Sequence, residues 1–276
     1  MKLSIITVNL NNVEGLKKTA ESIVSQTFQD FEWIVIDGGS TDGSKELIEQ
    51  YSEHIAYWCS EKDSGIYNAM NKGIRHAKGD YLNFMNSGDL LYGEDTLESV
   101  FANASYENVD VLYGNEVLID GEGKVVKEIK LSDDLSFYYL VYCSIRHQAS
   151  FISRQLLIDT GYSEEYKIVS DLVFFINMAL QGRAFKHIDI NISRFQTGGV
   201  TDRETTLWKT EMMRVQREVI PASIRYDFSY GQYSLFRGLK DKYKLFGKFI
   251  TAQLLFMRFI DKTLYLFRRK FVRRNA

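Results

Sequence analysis

Several things are scarce in this chain. It has two cysteines, Cys59 and Cys143, a single proline, Pro221, and almost no net charge: 34 Lys+Arg against 36 Asp+Glu leave a formal −2 over 276 residues. Two cysteines are too few for a secreted disulfide framework or a Cys-rich structural zinc site, so a reducing compartment is expected. Near-neutrality argues against a nucleic-acid-binding face spread over the whole molecule, and no nucleic-acid partner is expected. Long apolar runs are missing as well. The N-terminus, MKLSIITVNLNN, carries one Lys and then only a short apolar run. It lacks the longer apolar core and small-residue cleavage site of a signal peptide and reads as a first strand, so a cytoplasmic protein is expected. What is present is a folded protein's composition, 45% apolar and 14% aromatic, which excludes a disordered or collagen-like chain.

The neutrality hides a lopsided distribution. From Gln232 to Ala276 there are twelve basic residues against two acidic ones, Asp241 and Asp261. That stretch is therefore +10 and residues 1–231 are −12. An acidic body with a basic, aromatic-rich tail suggests a soluble domain and an appendage that meets something anionic.

Within the body, Lys2–Val8 and Phe31–Asp37 are short β-branched runs of the kind found in parallel strands covered on both faces. Leu16, Ala20, Ile23 and Val24 recur between them at helical spacing, after Asn11 and Asn12, either of which can cap a helix. The alternation continues with a helix opening near Thr41–Ser44, a strand at Ile55–Cys59, a helix from about Ser64 to Ala77 and a strand at Tyr81–Met85. This pattern implies a mostly parallel sheet, which binds ligands at the carboxyl ends of its strands. Further along, Asp110–Ile119 and Lys124–Lys130 read as a hairpin, Ser132–Val141 as helix-like, Ser170–Leu180 as a helix and Phe185–Ile192 as a strand.

The chemistry-bearing residues gather at the strand ends. Thr7 and Asn9 end the first strand and Asp37-Gly38-Gly39-Ser40-Thr41-Asp42 ends the second. The glycines follow the second strand, not the first, so this is not a dinucleotide fingerprint; a tight turn with a helix cap would also explain it. A nucleotidyltransferase would want a basic Gly-rich loop after the first strand, and Asn9–Asn12 contains neither Gly nor Lys. Asn86-Ser87-Gly88-Asp89 ends another strand, where an acidic residue suits Mg²⁺ or Mn²⁺ and a plain turn cap is the alternative. Asp171 lies at the start of the helix at Ser170, where Ser170 or Asp171 would serve as its cap.

Taken together, SIITVNLNN, QTFQDFEWIVIDGGSTDGS and SEKDSGIYNAMNKGIRHAKGDYLNFMNSGDLL resemble, in order and spacing, the family 2 glycosyltransferases: inverting enzymes of the GT-A fold, here most like nonprocessive members that decorate bacterial surface polysaccharides. The resemblance covers about residues 1–95 strongly and continues more weakly to about 205, through RHQASFISRQLL, YKIVSDLVFFINMAL and SRFQTGGVT. It implies a Rossmann-like α/β sheet flanked by helices and a nucleoside-diphosphate sugar donor. Thr7, Asn9 and Asp37 match positions that line the nucleoside pocket, and Asp63 and Asn68 the segment that closes over the nucleotide. Asp89 matches the last acidic residue of the metal motif and implies Mn²⁺ or Mg²⁺. Where many relatives have D-x-D-D, this chain has Asn86 and Gly88, so two carboxylates are missing; a protein that binds nucleotide-sugars without catalysis is the alternative that this loss suggests. Asp171 matches the catalytic base, His147 an acceptor-site residue, and Gly198-Gly199-Val200-Thr201 a loop approaching the diphosphate. No Q-x-x-R-W motif is found, which argues against polymer synthesis.

The expected division is a GT-A domain over 1–204, a helical extension over 205–231 and a basic amphipathic tail over 232–276. Phe246, Phe249, Ile250, Leu254, Met257, Ile260, Leu264 and Phe267 recur at helical intervals among Lys and Arg, as in a helix lying on an anionic membrane surface. The longest apolar stretch there, Phe249–Met257, is too short to span, since spanning takes about 20 apolar residues. The expectation is a peripheral protein at the inner face of the membrane, acting on a glycan or lipid-linked acceptor.

Overall fold

The computed structural model describes residues 1–222, apart from 103–105, 107, 121, 134, 136–139, 142–143 and 197–203. The basic tail, the Gly198–Thr201 segment and half of the helix expected at Ser132–Val141 lie outside the described residues. Met1–Val215 form one compact unit; of a second, Gln216–Ala276, only the start is described.

The chain begins as the alternation in the sequence requires: β1 (Leu3–Asn9), α1 (Val13–Val24), β2 (Phe31–Asp37), α2 (Ser44–Gln50), β3 (Ile55–Ser60), α3 (Ile66–His76) and β4 (Tyr81–Phe84). After β5 (Leu90–Leu91) and α4 (Thr96–Phe101) come the hairpin strands β6 (Val111–Ile119) and β7 (Val125–Ile129). They are followed by β8 (Ser150–Ser153), α5 (Arg154–Thr160), α6 (Ser170–Leu180), β9 (Phe185–Gln196) and α7 (Thr205–Glu218). These strands make one sheet in the order β3-β2-β1-β4-β8-β6-β9-β5, with β7 beside β6.

The sheet has two characters. β3, β2, β1 and β4 pair in parallel, with Asn9 opposite Asp37 in the β1–β2 register. Beyond β4 it is mixed: β8 pairs antiparallel with both β4 and β6, and β9 returns parallel to β6. The expectation of a mostly parallel sheet therefore holds for the first half, and the short β8 inserts a reversal that no periodicity in four residues could reveal.

Side chains alternate across the parallel half. Leu3, Ile5, Trp33 and Val35 are buried in one cluster with Leu16, Ala20 and Ile23 of α1 and Ile48 of α2. Full burial of each Leu or Ile contributes about 1.5–3 kcal/mol. Ile6, on the opposite face, meets α3 so closely that a Cβ on Gly73 would lie 2.5 Å from its Cγ2. Only glycine lets the helix approach this near. Asn12 caps α1 by accepting from the Gly15 N–H at 3.2 Å, as the sequence suggested.

Candidate active site

At the carboxyl edge of β1 and β2, Asp37 is 0% exposed. Its Oδ1 accepts from Asn9 Nδ2 (2.8 Å) and Ser40 Oγ (2.6 Å), and its Oδ2 from the Gly39 N–H (3.1 Å), the Ser40 N–H (2.9 Å) and Ser60 Oγ (2.6 Å). Burial pushes its pKa up, but donation from Ser40, Ser60 and Asn9 outweighs that and holds it below the usual aspartate value. Its first visible work is to fold the loop that follows; a base donating to it would have to displace one of these donors. Thr7 is likewise fully buried, its hydroxyl accepting from the Trp33 indole N–H at 2.9 Å. Asp63 reaches the same loop: its Oδ1 accepts from the Gly65 N–H at 3.0 Å, and its Oδ2 occupies the space a Cβ on Gly38 would need. Asn68 instead donates to Glu164 at 3.0 Å, tying α3 to the segment before α6.

The second group surrounds the loop Asn86–Asp89. Thr19 of α1, fully buried, holds this loop by donating to the Asp89 carbonyl oxygen (2.8 Å) and accepting from the Gly88 N–H (2.9 Å). Gly88 has φ +103, a conformation that favours glycine. Among the described residues no side chain donates a hydrogen bond to the half-buried Asp89 carboxylate, and burial pushes its pKa up to about 6 against the pull of His147 and Arg146.

Asp171 lies in the first turn of α6. Its Oδ1 accepts from Tyr67 Oη (3.0 Å) and the Leu172 N–H (2.9 Å), and its Oδ2 lies 3.0 Å from His147 Nδ1. The other ring nitrogen, Nε2, is 2.9 Å from Asn86 Nδ2. With Asn86 donating, Nε2 is the acceptor and Nδ1–H donates to Asp171. A hydrogen-bonded chain thus runs from the metal-motif loop through His147 to Asp171. Burial pushes the Asp171 pKa up, yet His147, the Leu172 N–H and Tyr67 bring it below the ordinary value; burial pushes the His147 pKa down, yet Asp171 raises it. Asn83 of β4 steadies the turn carrying His147 by donating to Ser150 O at 2.9 Å. Glu211 of α7 accepts from the backbone N–H groups of Lys167, Ile168 and Val169, which sets the start of α6.

The sequence reading named Thr7, Asn9, Asp37, Asp63, Asn68, Asp89, His147 and Asp171. The structure joins His147 to Asp171 directly, couples Asp89 to both Arg146 and His147 electrostatically, and gathers Asn9 and Asp37 at the neighbouring strand ends. Thr19, Tyr67, Glu116, Arg146 and Glu211 were missed. Of these, Glu116 carried a signal: an acidic residue in the middle of an otherwise buried strand. It is 1% exposed, its Oε2 lies 3.3 Å from Arg146 Nε, and burial pushes its pKa up to about 7.

A Rossmann-like sheet with a nucleotide-style loop after β2 and carboxylates at its strand ends is a GT-A architecture. The profile of glycosyl transferase family 2 matches residues 4–161, and the chain belongs to that family: it is an enzyme of the glycosyltransferase type. It is 34% identical over 185 residues to an uncharacterized glycosyltransferase of Mycobacterium tuberculosis (64% of this chain, 69% of the relative). A PGL/p-HBAD biosynthesis glycosyltransferase of Mycobacterium bovis is 32% identical over 208 residues (72% and 78%). Among solved structures, Staphylococcus aureus TarS 1–349 in complex with UDP-GlcNAc superposes with a TM-score of 0.61 at 20% identity, over 78% of this chain and 65% of that one. The mannosyltransferase PcManGT of Pyrobaculum calidifontis, in complex with GDP-Man and Mn²⁺, gives 0.56 at 17% identity, over 78% and 61%.

Enzymes of this family typically use a divalent metal. Among the described residues no group of three or more His, Cys, Asp or Glu side chains could hold one. A single carboxylate is nevertheless compatible with Mg²⁺ or Mn²⁺, which takes its other ligands from phosphate and water. Asp89 fits that role, since among the described residues no side chain donates to its oxygens and the neighbouring buried Asn86 Oδ1 has no hydrogen-bond partner.

Proposed function

We propose that this chain transfers a sugar from a nucleoside-diphosphate donor to a hydroxyl of a glycan or lipid-linked acceptor, with inversion, and that Asp171 is the general base. The observation that carries this reading is the setting of Asp171: its carboxylate is oriented from three sides, is favoured in the ionised form, and keeps acceptor capacity on Oδ2. A base must be both deprotonated and fixed to work. The acceptor's proton passes to Asp171 as its oxygen attacks the anomeric carbon. The bond from that carbon to the diphosphate breaks on the opposite face, and the electron pair leaves with the diphosphate. One displacement of this kind inverts the configuration.

The donor class is supported by the UDP-GlcNAc and GDP-Man complexes of the two structural neighbours. In this reading Asn9, Asp63 and Asn68 border the nucleoside, while Thr7 and Asp37 shape its pocket from beneath. Asp89 would hold Mn²⁺ or Mg²⁺, which supplies positive charge to the departing diphosphate. His147, which the resemblance matches to the acceptor site, also fixes Asp171 in this reading. Turnover of a panel of UDP- and GDP-sugars by the full chain tests the proposal: release of the nucleoside diphosphate from at least one is expected, and neither binding nor turnover of any would overturn it.

No helix among the described residues is long and apolar enough to cross a membrane. The proposal for residues 232–276 is contact with an anionic membrane surface, where each basic residue near the headgroups contributes about 1 kcal/mol. The full chain should pellet with anionic vesicles at low salt and stay in solution with neutral ones; equal behaviour would sink this part.

A further inference from the structure

Arg146 and Glu116 are unequal partners. The carboxylate is 1% exposed, while the guanidinium side chain above it is 45% exposed. Burying a charge is costly even when it is paired, so an ion pair is weak evidence of a purely stabilising role; here a buried anion lies beneath an accessible cation. The contact with Glu116 is through Nε, at 3.3 Å. The guanidinium also lies over the Phe195 ring, 4.3 Å from its centroid. With one edge paired and one face stacked, its two terminal amino groups make no hydrogen bond to any described residue. Such a fork is already arranged to donate two parallel bonds to a phosphate.

Its neighbours indicate where that phosphate belongs. Asp89 feels the positive charge of Arg146, and His147 follows directly in sequence. The loop bearing Asp89 has Asn86 and Gly88 where carboxylates would strengthen a cation site. A departing diphosphate carries more negative charge than one divalent cation offsets, so a loop with a single carboxylate leaves charge to be met from elsewhere.

We infer that Arg146, held by buried Glu116 and stacked on Phe195, binds the terminal phosphate of the donor's diphosphate and stabilises it as it leaves. This rests on the donor chemistry proposed above. Arg146 donates from its terminal amino groups to the oxygens of the phosphate that bears the sugar, and the bond between that phosphate and the anomeric carbon breaks toward it. Glu116 does not touch the substrate; it keeps the fork facing the phosphate.

Calorimetric titration with UDP, GDP, UMP and GMP, each in Mn²⁺ and in excess chelator, tests the assignment. R146A should weaken binding of the diphosphate that the wild type prefers about 10- to 100-fold, most clearly in chelator, and change binding of the corresponding monophosphate less than about threefold. R146K should recover part of the loss. Because R146A leaves Glu116 without its partner, the double variant E116Q/R146A is titrated alongside, with thermal melting of both; it should show the same selective loss. Diphosphate affinity within about twofold of wild type in a folded variant would overturn the assignment. Equal weakening of mono- and diphosphate would also overturn it, by reducing Arg146 to a structural residue. If the wild type binds neither UDP nor GDP, the donor reading itself falls and this inference with it.

Discussion

Asp37 and Glu116 are both buried carboxylates on strands of one sheet, and they are treated in opposite ways. Asp37, in the parallel half, accepts five hydrogen bonds and its pKa is held down. Glu116, in the mixed half, has among the described residues one ion-pair partner and a buried Oε1 with none, and its pKa is pushed up to about 7. Asp89, whose charge Glu116 feels, is pushed up to about 6. A saturated carboxylate spends its charge on holding a loop in place. An undersupplied one is pushed toward its neutral form, and ionising it costs stability. The parallel half is thus built as a scaffold for the site, and the mixed half carries groups still short of partners.

Asp171 stands between these two conditions, and its replacement should give the largest effect. D171N should lower turnover by about two to four orders of magnitude while leaving nucleotide affinity nearly unchanged, as read by steady-state kinetics beside a binding titration. Near-normal turnover would remove it from the mechanism.

D37N should act on stability instead. Its amide nitrogen would face donors in place of an acceptor, at a cost of about 2–4 kcal/mol in urea unfolding. The sign with pH follows from the depressed pKa: the stability from Asp37 is fully present above the ordinary value of 3.8 and is lost as pH falls through the lower folded value. The variant should therefore lack part of the wild type's acid sensitivity in that range. If D37N unfolds like the wild type but binds nucleotide poorly, Asp37 belongs with the ligand-contacting groups and the comparison fails.

Glu116 should behave in reverse. With a folded pKa of about 7 against 4.5, its ionisation begins to cost stability above pH 4.5 and the cost levels off above about pH 7. E116Q should thus be more stable than wild type at pH 8 by at most about 3 kcal/mol, and at pH 5 by no more than about 1 kcal/mol. A loss of stability at pH 8 would mean that the pair with Arg146 is a net stabiliser.

Much of the parallel half was legible because its signals are local. Strand and helix periods alternate cleanly, Asn12 caps where it should, and Asp37 and Asp171 fall at element ends where polar residues stand out. The mixed half was harder to read. β8 is four residues long, and α4 and α5 are also short, so none offers a full period. Tyr67 meets Asp171 across 104 positions and Arg146 meets Glu116 across 30, partnerships that only the folded sheet brings together. The likeness in sequence motifs located Asp89 and Asp171, but the missing carboxylates at 86 and 88 gave no hint that an arginine lies near the remaining one.

The central claim is a single displacement driven by Asp171, and its most direct test is the configuration of the first product. With a donor that turns over, even slowly onto water, proton NMR at early times reports the anomer released before mutarotation. The account predicts the configuration opposite to the donor's, formed by the wild type and nearly absent with D171N. A product that retains the donor's configuration would contradict it.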